Sequence, residues 1–152
     1  MGLVIAQDTE FEVEARRISP DEWSVHWSRI SQELDTIPQW WEPYWTKDFI
    51  NHAVMSQGWQ AWGFGDYNTI NMIVLTQMII YPGSKVLQMM LAFGNNLALC
   101  APLIDATMER FAVETGCKYA EIVGREGWVQ YFPRFKKVAV VLRCEVPEMG
   151  VH

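Results

Sequence analysis

The side chains that could take a proton from an attacking nucleophile are scattered. Glu10, Glu12, His26, His52 and Asp66 share no local motif. A general base must lie within about 3 Å of the proton it removes, so spacing alone assigns none of them; Glu12 stays a weak catalytic candidate. His26 also fits as a structural residue on a helix. The three cysteines, Cys100, Cys117 and Cys144, are odd in number and too far apart for a CxxC pair. They read as separate, mostly buried thiols rather than a disulfide framework or a metal centre.

A second group of residues has contact chemistry. Trp40, Trp41, Tyr44 and Trp45 crowd into a segment interrupted by Pro38 and Pro43. Rings of this size either close a small core or anchor an interface, because they bury much area with few rotors. Arg125 can bind an anion or a partner's carboxylate, or serve as ordinary surface charge.

The elements that must carry these groups follow from periodicity. Residues 10–18 alternate as a strand, with Phe11, Val13 and Ala15 on one face. Ser19, Pro20 and Glu22 then mark a helix start, and Trp23, Trp27, Ile30 and Leu34 form its apolar stripe over about 20–34. Residues 59–64, 69–81 and 85–93 read as three strands joined by short turns, an antiparallel meander. The nearly unbroken apolar run 70–80 requires cover on both faces of that sheet.

A helix over about 99–114 follows, closed at Gly116, with Pro102 either starting it or bending its first turn. `CKYAEIVG` resumes as a strand, `REGWVQYFPRF` as a short helix stopped near Pro133, and `KKVAVVLRCEV` as a last strand. Gly124 and Gly127 suit a tight strand exit, with Trp128 packing the short helix on the sheet. The fold class is α/β (α+β): a central mixed, mostly antiparallel sheet with helices on both faces.

The chain has 152 residues, 12 Lys and Arg against 18 Asp and Glu, and a formal charge of −6. That length suits a single domain, 1–152, with a flexible tail over 147–152. The negative balance argues against a broad nucleic-acid footprint. The longest apolar region is broken by Pro82, Gly83, Ser84 and Lys85, short of the ~20 residues a bilayer span needs. A cytoplasmic location is expected, with no membrane partner.

The order of elements over about 11–146 resembles the GNAT (GCN5-related N-acetyltransferase) superfamily. That resemblance implies a splayed sheet entered by acyl-CoA, with the diphosphate held at the start of the long C-terminal helix. With Leu103 and Ile104 as the family's paired apolar positions, its diphosphate signature falls on Asn95, Ala98 and Cys100. Only Ala98 keeps the small residue expected, and Gly94 and Asn96 complete the candidate cofactor loop. The general-acid tyrosine of the family falls on Phe132, leaving Tyr131, one residue away, as a weak substitute.

`IVGREGW` followed by `F..FK...VVL` is similar to GNAT-like proteins encoded among tailed-bacteriophage structural genes. The expectation is therefore a noncatalytic structural or assembly protein, in a virion or in the host cytoplasm during assembly. It would hold no cofactor, and its partners would be other virion or assembly proteins or copies of itself. The alternative is an acyl-CoA-dependent N-acetyltransferase using acetyl-CoA on a small or protein amine, with the thioester carbonyl polarised by a backbone N–H near Ala92 or Gly94.

Overall fold

The computed structural model describes residues 13–66 and 69–148. Glu10, Phe11 and Glu12, part of the turn after Asp66, and the end of the expected tail lie outside the described residues.

The first strand, β1 (Glu14–Ile18), leads through Ser19 into helix α1 (Pro20–Leu34). The Ser19 hydroxyl accepts from the Glu22 N–H at 3.1 Å, which satisfies one of the donors a helix start leaves unpaired. The Glu22 carboxylate does not close the reciprocal bond of a capping box but takes Arg16 at 2.7 Å, tying the strand to the helix. Two shorter helices follow, α2 (Pro38–Trp41) and α3 (Lys47–Met55). Thr46 caps the second by accepting from the Phe49 N–H.

Strands β2 (Gln60–Gly65), β3 (Ile70–Ile80) and β4 (Lys85–Gly94) form the expected antiparallel meander. Helix α4 (Leu97–Glu114) then crosses the sheet and delivers β5 (Tyr119–Ile122) parallel to β4. The sheet order is β1-β2-β3-β4-β5, mixed and mostly antiparallel.

Each face carries its own core. One, which we call face A, joins Trp23, Ile30, Leu34, Trp41 and Ile50 from the first helices to Ile73, Leu75, Leu91 and Phe93 of the sheet. On the other, face B, Cys100, Ile104, Met108 and Phe132 meet Phe64, Met72, Val74, Leu87 and Met89. Helices on both faces are what the continuously apolar β3 demanded.

Pro102 lies inside α4 rather than at its first position. Lacking an N–H, it cannot bond the Ala98 carbonyl, a loss that falls close enough to the helix start to leave the rest of the ladder intact. After β5 the chain turns into a 3-10 helix (Glu126–Tyr131). Arg134 fastens its exit to α4 by pairing with Asp105 and Glu109. The hydrogen bond to Asp105 is the chief reason its guanidinium is driven to still higher pKa.

The last expected strand does not form. Residues 136–148 make no backbone pairing among the described residues. Alternating apolar side chains specify a strand only where a neighbouring edge accepts its N–H and C=O groups, and this segment meets none within its own sheet.

Candidate functional site

Strand β4 breaks its own alternation. Thr76 of β3 faces Met89, whereas Leu75 faces Leu91, so Met90 is an extra residue without a partner. The Asn95 N–H bonds the Asn71 carbonyl at 2.9 Å, on the β3 side. Counting back by twos, the Phe93 and Leu91 amides face β3 and the Ala92 N–H points the opposite way. Met89, however, gives its carbonyl to the Val123 N–H at 3.0 Å on the β5 side. The change of parity falls at Met90 and is a β-bulge.

The sheet opens at the same place. Pairing between β4 and β5 runs from Val86↔Tyr119 to Met89↔Ile122 and stops. Beyond Met90, β4 continues against β3 but has no strand on its other side among the described residues. The Ala92 N–H therefore faces a wedge between two diverging strands.

The far end of that wedge is the turn into α4. Gly94 adopts φ +124°, and a Cβ placed there would lie 2.0 Å from the Asn71 carbonyl oxygen. Only glycine fits. Asn96 follows in the left-handed region at φ 64° and does not cap the helix with its side chain. The amides of Leu97, Ala98 and Leu99, the first three helical positions, have no intrahelical acceptor. Leu97 is half-buried and Ala98 and Leu99 are exposed, so the turn lies at the surface, where a helix start can offer an anion cradle.

The five expected loop residues do not all share this role. The Asn95 N–H is spent on Asn71, and its side-chain carbonyl accepts from the Asn71 amide at 3.2 Å. Cys100 is fully buried in the face-B core, its N–H taken by the Asn96 carbonyl and its thiol pushed up by desolvation. Gly94, Asn96 and Ala98 remain at the cradle. Leu97 and Leu99 are additions that sequence reasoning missed, because the donors are backbone groups and carry no side-chain signature.

Across the wedge stands Arg125, three residues beyond the end of β5. Its guanidinium lies 5.4 Å from the Trp40 ring centroid and 5.7 Å from that of Trp128. This sandwich links α2 on one face to the 3-10 helix on the other, a contact worth about 0.5–1 kcal/mol per ring at an exposed site. Gly124 precedes it because a Cβ there would meet the Trp128 ring at 2.7 Å.

The aromatic cluster divides. Trp41 is buried and donates its indole N–H to the Leu34 carbonyl at 2.8 Å, and Trp45 packs edge-on against Trp59. Trp40 and Tyr44 are exposed. Phe132 is equally a core residue, edge-on to Phe135, whereas Tyr131 is half-buried and its hydroxyl has no protein partner among the described residues. His26 and His52 are exposed, and Asp66 accepts from the Thr69 N–H in its own turn. His26 lines a hollow of about 230 Å³ with Glu22 and Arg29. That hollow and one of about 290 Å³ beside Arg17 and Trp59 lie away from the wedge.

No helix among the described residues is long and apolar enough to cross a membrane. No protein-family model and no curated protein matches the chain. Solved structures do. It is similar to an aminoglycoside acetyltransferase from an uncultured soil metagenomic sample, at 9% identity over 89% of this chain and 97% of that one, TM-score 0.64. A GCN5-related N-acetyltransferase from Ralstonia eutropha JMP134 matches at 14% identity over 91% and 100%, TM-score 0.58. A predicted acetyltransferase with acetyl-CoA from Clostridium acetobutylicum matches at 12% identity over 88% and 96%, TM-score 0.59.

These likenesses show the GNAT fold. They also correct the expectation of a noncatalytic bacteriophage virion or assembly protein without a cofactor, since the structures matched are acetyltransferases and one holds acetyl-CoA. The physical reason lies in the turn. The sequence departures that suggested a spoiled cradle, Asn95 and Cys100, fall on residues turned to other tasks, and the neighbouring first-turn amides have no intrahelical acceptor.

Proposed function

We propose that the chain is an acyl-CoA-dependent N-acetyltransferase acting on a small or protein amine. The observation that carries this reading is the coincidence of bulge and splay at Met90, which leaves the Ala92 N–H facing a gap that ends at a helix start.

Acetyl-CoA, when bound, supplies the activated thioester that an amine nitrogen attacks. The amides of Leu97, Ala98 and Leu99, with the turn at Gly94 and Asn96, would hold its diphosphate. The Ala92 N–H would donate to the thioester oxygen as charge develops there, a role in which a fixed backbone dipole acts without reorganising. The wedge fixes the direction of approach of the amine, so much of the barrier is met by orientation. Tyr131 would give its proton to the departing thiolate and be restored by the proton that the nitrogen loses as the amide forms, and Arg125 between its two tryptophans would form the opposite wall. The acceptor ammonium must shed a proton before it attacks, and solvent reaching the open wedge can take it.

Calorimetric titration with acetyl-CoA is expected to give saturable, micromolar binding. Absence of heat at millimolar ligand would sink the reading. Tyr131→Phe should leave that affinity unchanged and lower kcat about a hundredfold, the usual scale for losing a general acid. An undiminished kcat would remove Tyr131 from the reaction while leaving the cofactor assignment standing.

A further inference from the structure

We propose that Arg125, with Arg143 beside it, selects the acceptor by gripping a carboxylate, so that the amine acetylated is a small amino acid rather than a neutral or cationic amine. This deepens the proposed reaction and rests on it.

The chain carries a formal charge of −6, yet one stretch reverses that balance. Residues 125–143 hold Arg125, Arg134, Lys136, Lys137 and Arg143 against Glu126 alone. Arg134 is engaged with Asp105 and Glu109, and Lys137 with Glu126. Arg125 and Arg143 pair with no carboxylate among the described residues. They lie on aromatic rings instead. The Arg125 guanidinium is 5.4 Å from the Trp40 ring centroid, and that of Arg143 is 5.0 Å from the Tyr44 centroid and donates to the Tyr44 hydroxyl.

Those two rings come from one segment. Bonds from the Glu42 N–H to the Pro38 carbonyl and from the Trp45 N–H to the Trp41 carbonyl carry the helical winding of α2 past its end. Residues four apart on such a turn share a side, so Trp40 and Tyr44 hold their guanidiniums along a single rim. Contact with a ring uses the flat face of a guanidinium and leaves its in-plane N–H groups to other acceptors. That fork matches a carboxylate. Long side chains held in advance also lose less freedom when the ligand arrives.

The rim stands where the acceptor must lie. The last pair between β4 and β5 is Met89↔Ile122, and three residues further along each strand are Ala92 and Arg125. The amide that would polarise the thioester and the guanidinium thus flank the wedge at about the same level. The charges of acyl-CoA lie on its phosphates, which the proposed reaction seats at the turn into α4, and the arm leading to the thioester is uncharged. The anion that Arg125 meets therefore belongs to the acceptor. A carboxylate on the rim turns the amine of the same molecule toward the thioester, whereas an ammonium in its place is repelled.

Steady-state acetylation by the full chain, over a graded series of ω-amino acids from glycine upward and the matching ω-amino amides, reads the preference. At the best-fitting length the acid should exceed its amide in kcat/KM by about thirtyfold, chiefly through KM. Arg125→Gln should bring the two to parity and Arg143→Gln should reduce their ratio about threefold, with acetyl-CoA affinity by calorimetry unchanged in both. A purely structural latch between α2 and the 3-10 helix behaves differently: Arg125→Gln would then slow acids and amides alike and leave their ratio intact. That result would overturn the proposal, as would equal use of acids and amides by the wild type or turnover of no acid at all. Acetyl-CoA binding by the same wild-type protein would in each case leave the reaction standing, and its absence would remove the reaction and this assignment together. If Arg125→Gln unfolds the chain, Arg125→Lys provides the test, since it keeps the charge without the fork; a reduced acid preference is expected and an undiminished one overturns the proposal.

Discussion

Gly94→Val is expected to abolish measurable acetyl-CoA binding and to lower stability by about 2–3 kcal/mol. Two penalties combine at this position. The φ of +124° lies where side-chain-bearing residues are strained, and the added Cβ would meet the Asn71 carbonyl oxygen at 2.0 Å. Relief requires the turn to move off β3, which breaks the Asn95 to Asn71 hydrogen bond and re-aims the Leu97, Ala98 and Leu99 amides. Gly116→Ala is the control, since that glycine also has positive φ, +74°, but open space around it. It should cost about 1 kcal/mol and leave binding untouched. Thermal unfolding with calorimetry of both variants decides the matter. A Gly94→Val protein that binds like the wild type would mean that the cradle lies elsewhere.

Trp41→Ala is expected to cost about 3–5 kcal/mol, the range for emptying a buried aromatic site. The ring is 6% exposed and sits among the face-A side chains, and its N–H satisfies the Leu34 carbonyl near the end of α1. Removing it leaves a cavity and takes from the Leu34 carbonyl one of its two donors, the other being the Ile37 N–H at 3.1 Å. Trp40→Ala, one residue earlier, should stay within about 1 kcal/mol because that ring is 41% exposed and its contact with Arg125 is a surface one. Chemical denaturation of the pair measures the contrast. Equal losses would show that α2 does not separate inner from outer rings as described.

Sequence reasoning reached the layers of this fold because they follow from local patterns. The Ser19 cap, the α1 stripe, the meander and the apolar β3 were all legible, and each appears within a few residues of its expected place. Helix α3 was hidden behind the prolines and aromatics of the segment before it. The bulge was invisible for a different reason. Residues 89–93 are Met, Met, Leu, Ala and Phe, and a strand covered on both faces shows no alternation whose failure could be noticed. Side-chain motifs also misdirected the reading of the cofactor loop, where the donors are main-chain amides. The final strand was legible as a pattern, but pairing depends on a neighbour that no local pattern specifies.

Met90 and Leu91 both belong to the face-A core, so the bulge spends two consecutive residues on one side of the sheet. Removing either would leave every other side chain of β4 on its present side. The hydrophobic layers would be satisfied by a strand one residue shorter. Whether this sheet is a sealed slab or a hinged jaw is thus encoded in a single codon that packing alone does not require.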